Sequence, residues 1–480
     1  MFVDRRQELA FLNDLLARAH PGPAQLALIY GRRRVGKSEL LLQWATQAAY
    51  PYTYWEAVKE TATQQRGRLF AKLLNVPVSS APVHRSWPEF WDAAAPLLRG
   101  QRQLLILDEL PYAAEADPAM LSALQVAWDQ HFQKTEVVIV LCGSHVRLME
   151  TLLSRQSPLF GRMTAQWHLE PLPFSGLAEF FPKWNADERV AAYAIVGGIP
   201  AYLNWLDPQL DLTENIRRIM LAPGSMFLAE PAFLLYDEVR EPNSYLAVLK
   251  AIGSGAHTLS EISERAFIPS TSVAFYLNTL QELRLVDRRL PVTQPKPQRG
   301  RSRSGRYHLS DPYFRFYFHF LEPFFSSTPY DPEQVVEAVR RNLRAFVGGT
   351  AFEELARQWV WIQGKQGQLA FTPDSIGSHW SSRVQVDVAA LNWQTHDILL
   401  GECKWGIDRV DRQVVRELVE KKTPLALKDL PDGGAGWKVH YALFARSGFT
   451  PSAAAEMQKV QGVLVDLKGI DRVLGHESQM

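Results

Sequence analysis

The stretch Gly31-Arg32-Arg33-Arg34-Val35-Gly36-Lys37-Ser38 constrains this chain more than any other. It follows a short apolar run of strand length, Ala24–Tyr30, and it leads into Ser38–Ala49, which reads as a helix. A strand that turns through glycines into a helix aims successive backbone N–H groups, and the positive end of the helix dipole, at one point. Such a point holds a phosphate. Lys37 adds a compact charge for the β- and γ-phosphates, and Ser38 an oxygen ligand for Mg²⁺. Full spacing and correct flanking elements together separate this loop from a chance Gly-rich turn.

Further apolar runs extend the same architecture. Leu104–Leu107 ends on Asp108-Glu109, and Glu136–Cys142 ends on Gly143-Ser144. Strands that alternate with helices build a parallel sheet covered on both faces, so its strands are almost wholly apolar. Asp108 is then delivered to the magnesium shell. Glu109 stands where a carboxylate can orient or deprotonate the attacking water. Ser144 reaches the same carboxyl edge, either to sense the terminal phosphate or to cap the next helix.

At 480 residues the chain exceeds one core, and a prior of about 100–200 residues per domain suggests about three domains. An apolar share of 46% with 21% charged residues indicates a globular chain. No apolar run is long enough to span a bilayer, and the N-terminus lacks an apolar targeting core. A cytoplasmic location and no membrane partner are expected. Two cysteines exclude a disulfide scaffold and a four-cysteine zinc site. A net charge of +1 confines any nucleic-acid surface to local patches.

In the middle of the chain, Tyr245–Ile252, Leu259–Ala266 and Ser270–Leu283 read as helices, and Leu285–Leu290 and Tyr307–Leu309 as paired strands. That is the order of a winged helix-turn-helix. Pro291–Gly305 is expected to be a mobile wing loop. Lys296, Arg299, Arg301, Arg303 and Arg306 make this region either a strip for DNA phosphates or a solvated connector. Beyond it, Val384–Leu391, Ile398–Lys404, Trp437–Phe444 and Gly462–Asp466 read as strands of a second α/β domain. Glu402 and Lys404 share one strand face, an antiparallel partner can bring Asp387 beside them, and Glu353 lies on a preceding helix.

Phe2-Val3-Asp4-Arg5-Arg6-Gln7-Glu8-Leu9 resembles the N-terminal signature of the AAA+-related STAND class of ATPases. Gly197-Gly198-Ile199-Pro200 resembles the Gly-x-Pro motif that follows their core; with Ser157–Arg162 the chain is similar to the archaeal-type ATPase branch. One departure is Asp4, where the signature usually carries Gly. The resemblance implies ATP as the nucleotide. It also implies that Arg5 and Glu8 form the adenine side of the pocket, and that Pro200 touches nucleotide or fixes a hinge. Arg162 becomes a candidate for the γ-phosphate; acting across a subunit boundary it would imply a homo-oligomer, and otherwise it is a salt-bridged surface arginine.

Glu353, Asp387 and the Glu402-x-Lys404 pair are similar to the PD-(D/E)xK nuclease superfamily. That similarity implies Asp387 and Glu402 as Mg²⁺ ligands, Lys404 as the group that holds the attacking water, and Glu353 as an aid to the metal shell. The expected fold class is therefore α/β. It comprises a P-loop parallel-sheet ATPase domain (1–220), an all-α, winged-helix middle domain (221–330) and a second α/β, nuclease-like domain (331–480). Three functions remain open from sequence: an ATPase that couples nucleotide state to DNA binding or cleavage, a signalling ATPase whose C-terminal domain only binds, and, resting on the winged helix, a transcription regulator with an ATP switch.

Overall fold

The phosphate-loop strand, β1 (Gln25–Tyr30), is buried along its whole length. It shares a parallel sheet with β2 (Tyr52–Glu56), β3 (Leu104–Asp108), β4 (Val138–Gly143) and β5 (Ala165–His168), in the order β2-β3-β4-β1-β5. All of β3 and β4 is buried too, because helices cover both faces and leave no polar side. One layer of the core is aromatic: Trp55, Trp87, Phe90, Trp91 and Phe132 pack together at 0–1% exposure. The helix Lys37–Gln47 is pinned by Trp44, fully buried, whose indole N–H donates to Asn13 Oδ1 at 3.1 Å. Burying a side chain of that size contributes about 2–3 kcal/mol.

This computed structural model describes residues 2–18, 23–302, 304–325 and 331–475. The chain forms two compact units. The first is Met1–Leu172 with Ile199–Ala201; the second is Pro173–Gly198 with Tyr202–Met480. No helix among the described residues is long and apolar enough to cross a membrane.

In the second unit the helices Pro242–Gly253, Leu259–Ala266 and Ser270–Glu282 precede an antiparallel pair, β6 (Val286–Arg289) and β7 (Arg306–Leu309). The middle helix starts with a capping box, in which Thr258 accepts from the Glu261 N–H and Glu261 accepts from the Thr258 N–H. After the helix Glu353–Lys365 come β8 (Ser375–Trp380), β9 (Gln385–Asn392), β10 (Asp397–Lys404), β11 (Lys438–Ala445) and β12 (Val463–Asp466), in sheet order β12-β11-β10-β9-β8. The β8–β9 and β9–β10 pairs are antiparallel, and the β10–β11 and β11–β12 pairs parallel. The fold is thus mixed α/β: a parallel-sheet N-terminal domain, a helical middle and a second sheet domain.

The segment between β6 and β7 differs from the mobile loop expected. It carries a 3₁₀ turn, Lys296–Arg301, and is tied to β8. Val292 N–H donates to Ser378 O at 3.0 Å, Thr293 Oγ1 meets His379 Nδ1 at 2.8 Å, and Trp380 Nε1 donates to Ser304 O at 3.1 Å. Arg299 turns inward onto Gln294 O and Val292 O. Its polar composition hid these anchors, since backbone groups make most of them. Arg303 and the side chain of Arg301 lie outside the described residues.

Candidate functional site

The loop that leaves β1 is held in shape by its glycines. A Cβ on Gly31 would sit 2.4 Å from Leu169 O, so only glycine fits there. Gly36 caps the following helix with φ 91°, a left-handed conformation that costs other residues roughly 1–2 kcal/mol. Pro200 starts the helix Pro200–Trp205, and its Cγ lies 3.9 Å from where a Gly36 Cβ would stand. Val35 is buried, while Arg32, Arg33 and Arg34 are half-buried. Arg33 donates to the Tyr112 hydroxyl at 2.8 Å.

Lys37 is buried, and its ammonium donates to Gly31 O at 2.8 Å and Arg32 O at 3.1 Å. It therefore folds back over the loop whose N–H groups it complements. Ser38 Oγ donates to Asp108 Oδ2 at 2.6 Å, and the Tyr54 hydroxyl donates to the same oxygen. Asp108 Oδ1 accepts the Glu109 N–H at 2.9 Å. Asp108 is completely buried, and these three donors satisfy it. Burial, then the Asp108 carboxylate, pushes the Tyr54 phenol far above its usual range, so it stays protonated and donating. Burial and Asp108 likewise push up the Cys142 thiol on the adjacent strand. Ser38 and Asp108 thus present two oxygens side by side, a donor set that fits one hard cation such as Mg²⁺.

Glu109 has φ 48° at the start of the helix Leu110–Ala116, which turns its side chain toward β4. Glu109 Oε2 accepts from Ser144 Oγ at 2.9 Å and Ser144 N–H at 3.3 Å. Arg5 is buried: it donates to Glu8 Oε1, Glu170 O and Val35 O, each at 2.8 Å, and so ties the N-terminal segment to the loop backbone. Asp4, where a glycine is usual, has φ 58°; aspartate tolerates that conformation better than most residues. Arg162 forks onto Asp129 at 2.8 and 2.9 Å and also donates to Pro158 O and Phe160 O.

A second cluster lies on β9, β10 and the helix Glu353–Lys365. The β9–β10 register runs to Gly401 opposite Val388, and one step further sets Asp387 against Glu402. Asp387 Oδ2 accepts the Cys403 N–H at 3.0 Å. Glu402 is buried; Lys422 donates to its Oε1 at 2.7 Å and Lys404 to its Oε2 at 3.3 Å. Arg357 Nη1 bridges Glu353 Oε2 at 3.3 Å and Asp387 O at 2.9 Å.

Burial, then the Asp387 carboxylate, raises Glu353 to about 7 and raises Glu402 as well. Burial works against the Lys404 charge, but Glu402 and Asp387 outweigh it and hold its pKa above the usual value. Among the described residues no three carboxylate, histidine or cysteine groups stand together at metal-ligand spacing. Two carboxylates with water and substrate oxygens suffice for Mg²⁺, and the mutual repulsion of Asp387 and Glu402 is what a cation relieves.

Three residues escaped the sequence reading. Tyr54 is on β2, with nothing nearby in sequence to mark it. Arg357 sits four residues after Glu353 on one helix face, a spacing that could have flagged it. Lys422 reaches Glu402 from a helical turn 20 residues on.

Residues 2–206 match a family described as an ATPase domain predominantly from Archaea. Residues 317–416 match one described as Archaea bacterial proteins of unknown function. An uncharacterised protein of Methanocaldococcus jannaschii is 31% identical over 437 residues, which is 89% of this chain and 93% of that one. Among solved structures, the Walker-type ATPase of Pyrococcus abyssi has a TM-score of 0.48 at 18% identity, covering 66% of this chain and 96% of its own. The ORC2 protein of Aeropyrum pernix in its ADPNP–ADP complexes has a TM-score of 0.44 at 13% identity, covering 72% of this chain and 96% of its own. With its phosphate loop in place and a relative matched along nearly its whole length, the chain belongs to the archaeal-type P-loop ATPase family.

Proposed function

We propose that this ATPase couples ATP binding and hydrolysis to DNA binding or metal-dependent phosphodiester cleavage by its C-terminal region. The functional division is 1–220, 221–330 and 331–480, with the middle helices and hairpin acting as a winged helix. The observation that carries the reading is the second cluster. Asp387, Glu402, Lys404 and Glu353 come from three separate elements, yet burial and the Asp387 carboxylate raise both Glu353 and Glu402, and a lysine lies against Glu402. Titrating groups perturbed by burial and by a specific charged partner are what functional sites gather.

At the first site Lys37 and the loop N–H groups hold the ATP phosphates, and Ser38 and Asp108 hold Mg²⁺. Glu109, oriented by Ser144, positions the water. Arg5 supports the adenine side through Val35. Arg162 would have to leave Asp129 to reach a γ-phosphate, a change that assembly into a homo-oligomer could drive.

At the second site Asp387 and Glu402 hold Mg²⁺, which when bound stabilises charge on the phosphate in transit. Lys404 holds the attacking water, and Glu353 orients Arg357 and Asp387. The alternative, a STAND-like regulator with a binding-only C-terminal region, draws on Lys404 and Lys422, which both neutralise Glu402. Two cysteines without a disulfide fit a cytoplasmic location.

The test is cleavage of labelled duplex, single-stranded and branched DNA with Mg²⁺ or Mn²⁺, with and without ATP. Cutting by the wild type and none by Lys404→Ala supports the nuclease reading, and a Lys37→Ala lane shows whether ATP gates it. No cutting of any substrate beside intact ATP hydrolysis leaves the binding-only reading standing.

A further inference from the structure

Beside the second cluster the structure holds a cavity of about 470 Å³, most of whose lining neither proposed activity uses. It lies within the second unit, between the β6–β7 hairpin with its helices and the start of the helix that carries Glu353. Four arginines line it, Arg289, Arg306, Arg315 and Arg357, against one carboxylate, Glu353. Glu354, just outside, pairs with Arg289 and Arg315, and Arg357 pairs with Glu353. Among the described residues no carboxylate pairs with Arg306; its guanidinium lies over the Trp380 ring, 5.1 Å from the centroid. Arg315 Nε is buried and has no hydrogen-bond partner among the described residues.

One lining residue responds to burial first and to these cations second. His308, stacked on His257 at 4.5 Å, is held down to about 3 by burial and then by Arg289, His257, Arg315 and Arg306. A chain that keeps this many cations around one half-open pocket gains most from an anion there. Guanidinium forks match phosphate oxygens in shape as well as charge. A small-molecule site of ordinary size falls at about 300–1,000 Å³, so the volume suits a nucleotide rather than a bare ion.

We infer that this cavity is a binding site for a phosphate ester of nucleoside-monophosphate size, gripped by Arg306, Arg289 and Arg315. The site deepens the function proposed above through position alone. Glu353 and Arg357 form one wall, so an occupant that draws on Arg357 alters the support of Asp387. Binding itself does not require cleavage.

The experiment is calorimetric titration of the full chain carrying Lys37→Ala, which weakens the phosphate loop as a competing site. The probes are AMP, adenosine, and an oligonucleotide with and without a 5′-phosphate. One molecule of AMP is expected to bind, and adenosine is not. Arg306→Gln and, separately, Arg289→Gln should each weaken AMP binding, the first by about tenfold or more as one charge-assisted hydrogen bond is lost. If only the 5′-phosphorylated strand binds, the phosphate-ester site stands and its source is a strand end.

Lys404→Ala should leave binding intact, so a failed cleavage assay does not decide this one. In wild type, AMP added above ADP saturation should slow hydrogen exchange across Arg306–Leu309, a readout independent of how well the variants fold. No binding of AMP or of the phosphorylated strand, or binding that both variants leave unchanged, overturns the proposal.

Discussion

Replacing Arg315 with glutamine tests how the C-terminal site is held to the helical middle of its unit. Arg315 donates to both oxygens of Glu354, at 2.9 and 3.0 Å, and Arg289 adds a third contact at 3.1 Å. Burial alone would raise the Glu354 carboxyl, yet Arg315 and then Arg289 bring it from 4.5 down to about 2. Each tenfold change in acidity corresponds to about 1.36 kcal/mol, so the ionised Glu354 is stabilised by about 3 kcal/mol net at neutral pH, the arginines acting against burial.

Glutamine keeps Arg289 in place and should remove most of that, about 2 kcal/mol. The folded carboxyl is the stronger acid, so its stabilisation is complete above pH 4.5 and is lost as pH falls toward 2. The gap between wild type and variant should shrink by about half between pH 7 and pH 3. The assay is native-state hydrogen exchange of amides in Glu353–Lys365, run at pH 7, 4 and 3 after correction for intrinsic rates. Adding Glu354→Gln to Arg315→Gln should cost less than the sum of the two single changes, because no charge is then left buried and unpaired. A gap that ignores pH, or strictly additive losses, would refute the reasoning.

Other expectations are simpler to check. Gly31→Ala forces a methyl against Leu169 O and should destabilise the first unit by about 1–3 kcal/mol, read as a lower midpoint in urea. Tyr54→Phe removes one of three donors to Asp108 and should cost about 1.5–3 kcal/mol in stability while ATP turnover persists; abolished turnover would show that Tyr54 does more than hold Asp108. Glu109→Gln should leave ATP binding within about twofold and slow hydrolysis by about a hundredfold or more, in line with loss of general-base assistance, as single-turnover assays would show. Glu402→Gln leaves Lys404 and Lys422 without their carboxylate and should abolish any Mg²⁺-dependent cleavage; cleavage that survives would move the metal elsewhere.

The sequence was most readable where one physical demand dominated a short window. β1, β3 and β4 are buried on both faces, so their residues had to be almost wholly apolar, and the expected runs sit within two residues of the observed strands. The phosphate loop was legible because a sharp glycine turn, a lysine and a hydroxyl must follow one another. The edge strands were harder. β2 (Tyr52–Glu56) and β8 (Ser375–Trp380) mix exposed or half-buried residues with buried ones, so neither carries a clean period. Partners that arrive from distant segments left no local signal: Tyr54 on Asp108, Lys422 on Glu402, and Val292 on Ser378. The anchoring of the hairpin segment was invisible for that reason, since a backbone N–H has no identity in sequence.

The return of Ile199–Ala201 to the first unit bears on how this protein can be made. The chain leaves the ATPase unit after Leu172, comes back for three residues and leaves again. A ribosome must therefore expose residue 201 before the loop at Gly36 can meet Pro200. A fragment stopped at residue 172 would lack that contact altogether. One stopped at 206 would keep it but strand Tyr202 and Leu203, which are buried in the intact chain, in water. Neither cut leaves the first unit both complete and free of stranded apolar side chains, because three of its residues are borrowed from a segment that otherwise belongs to the second.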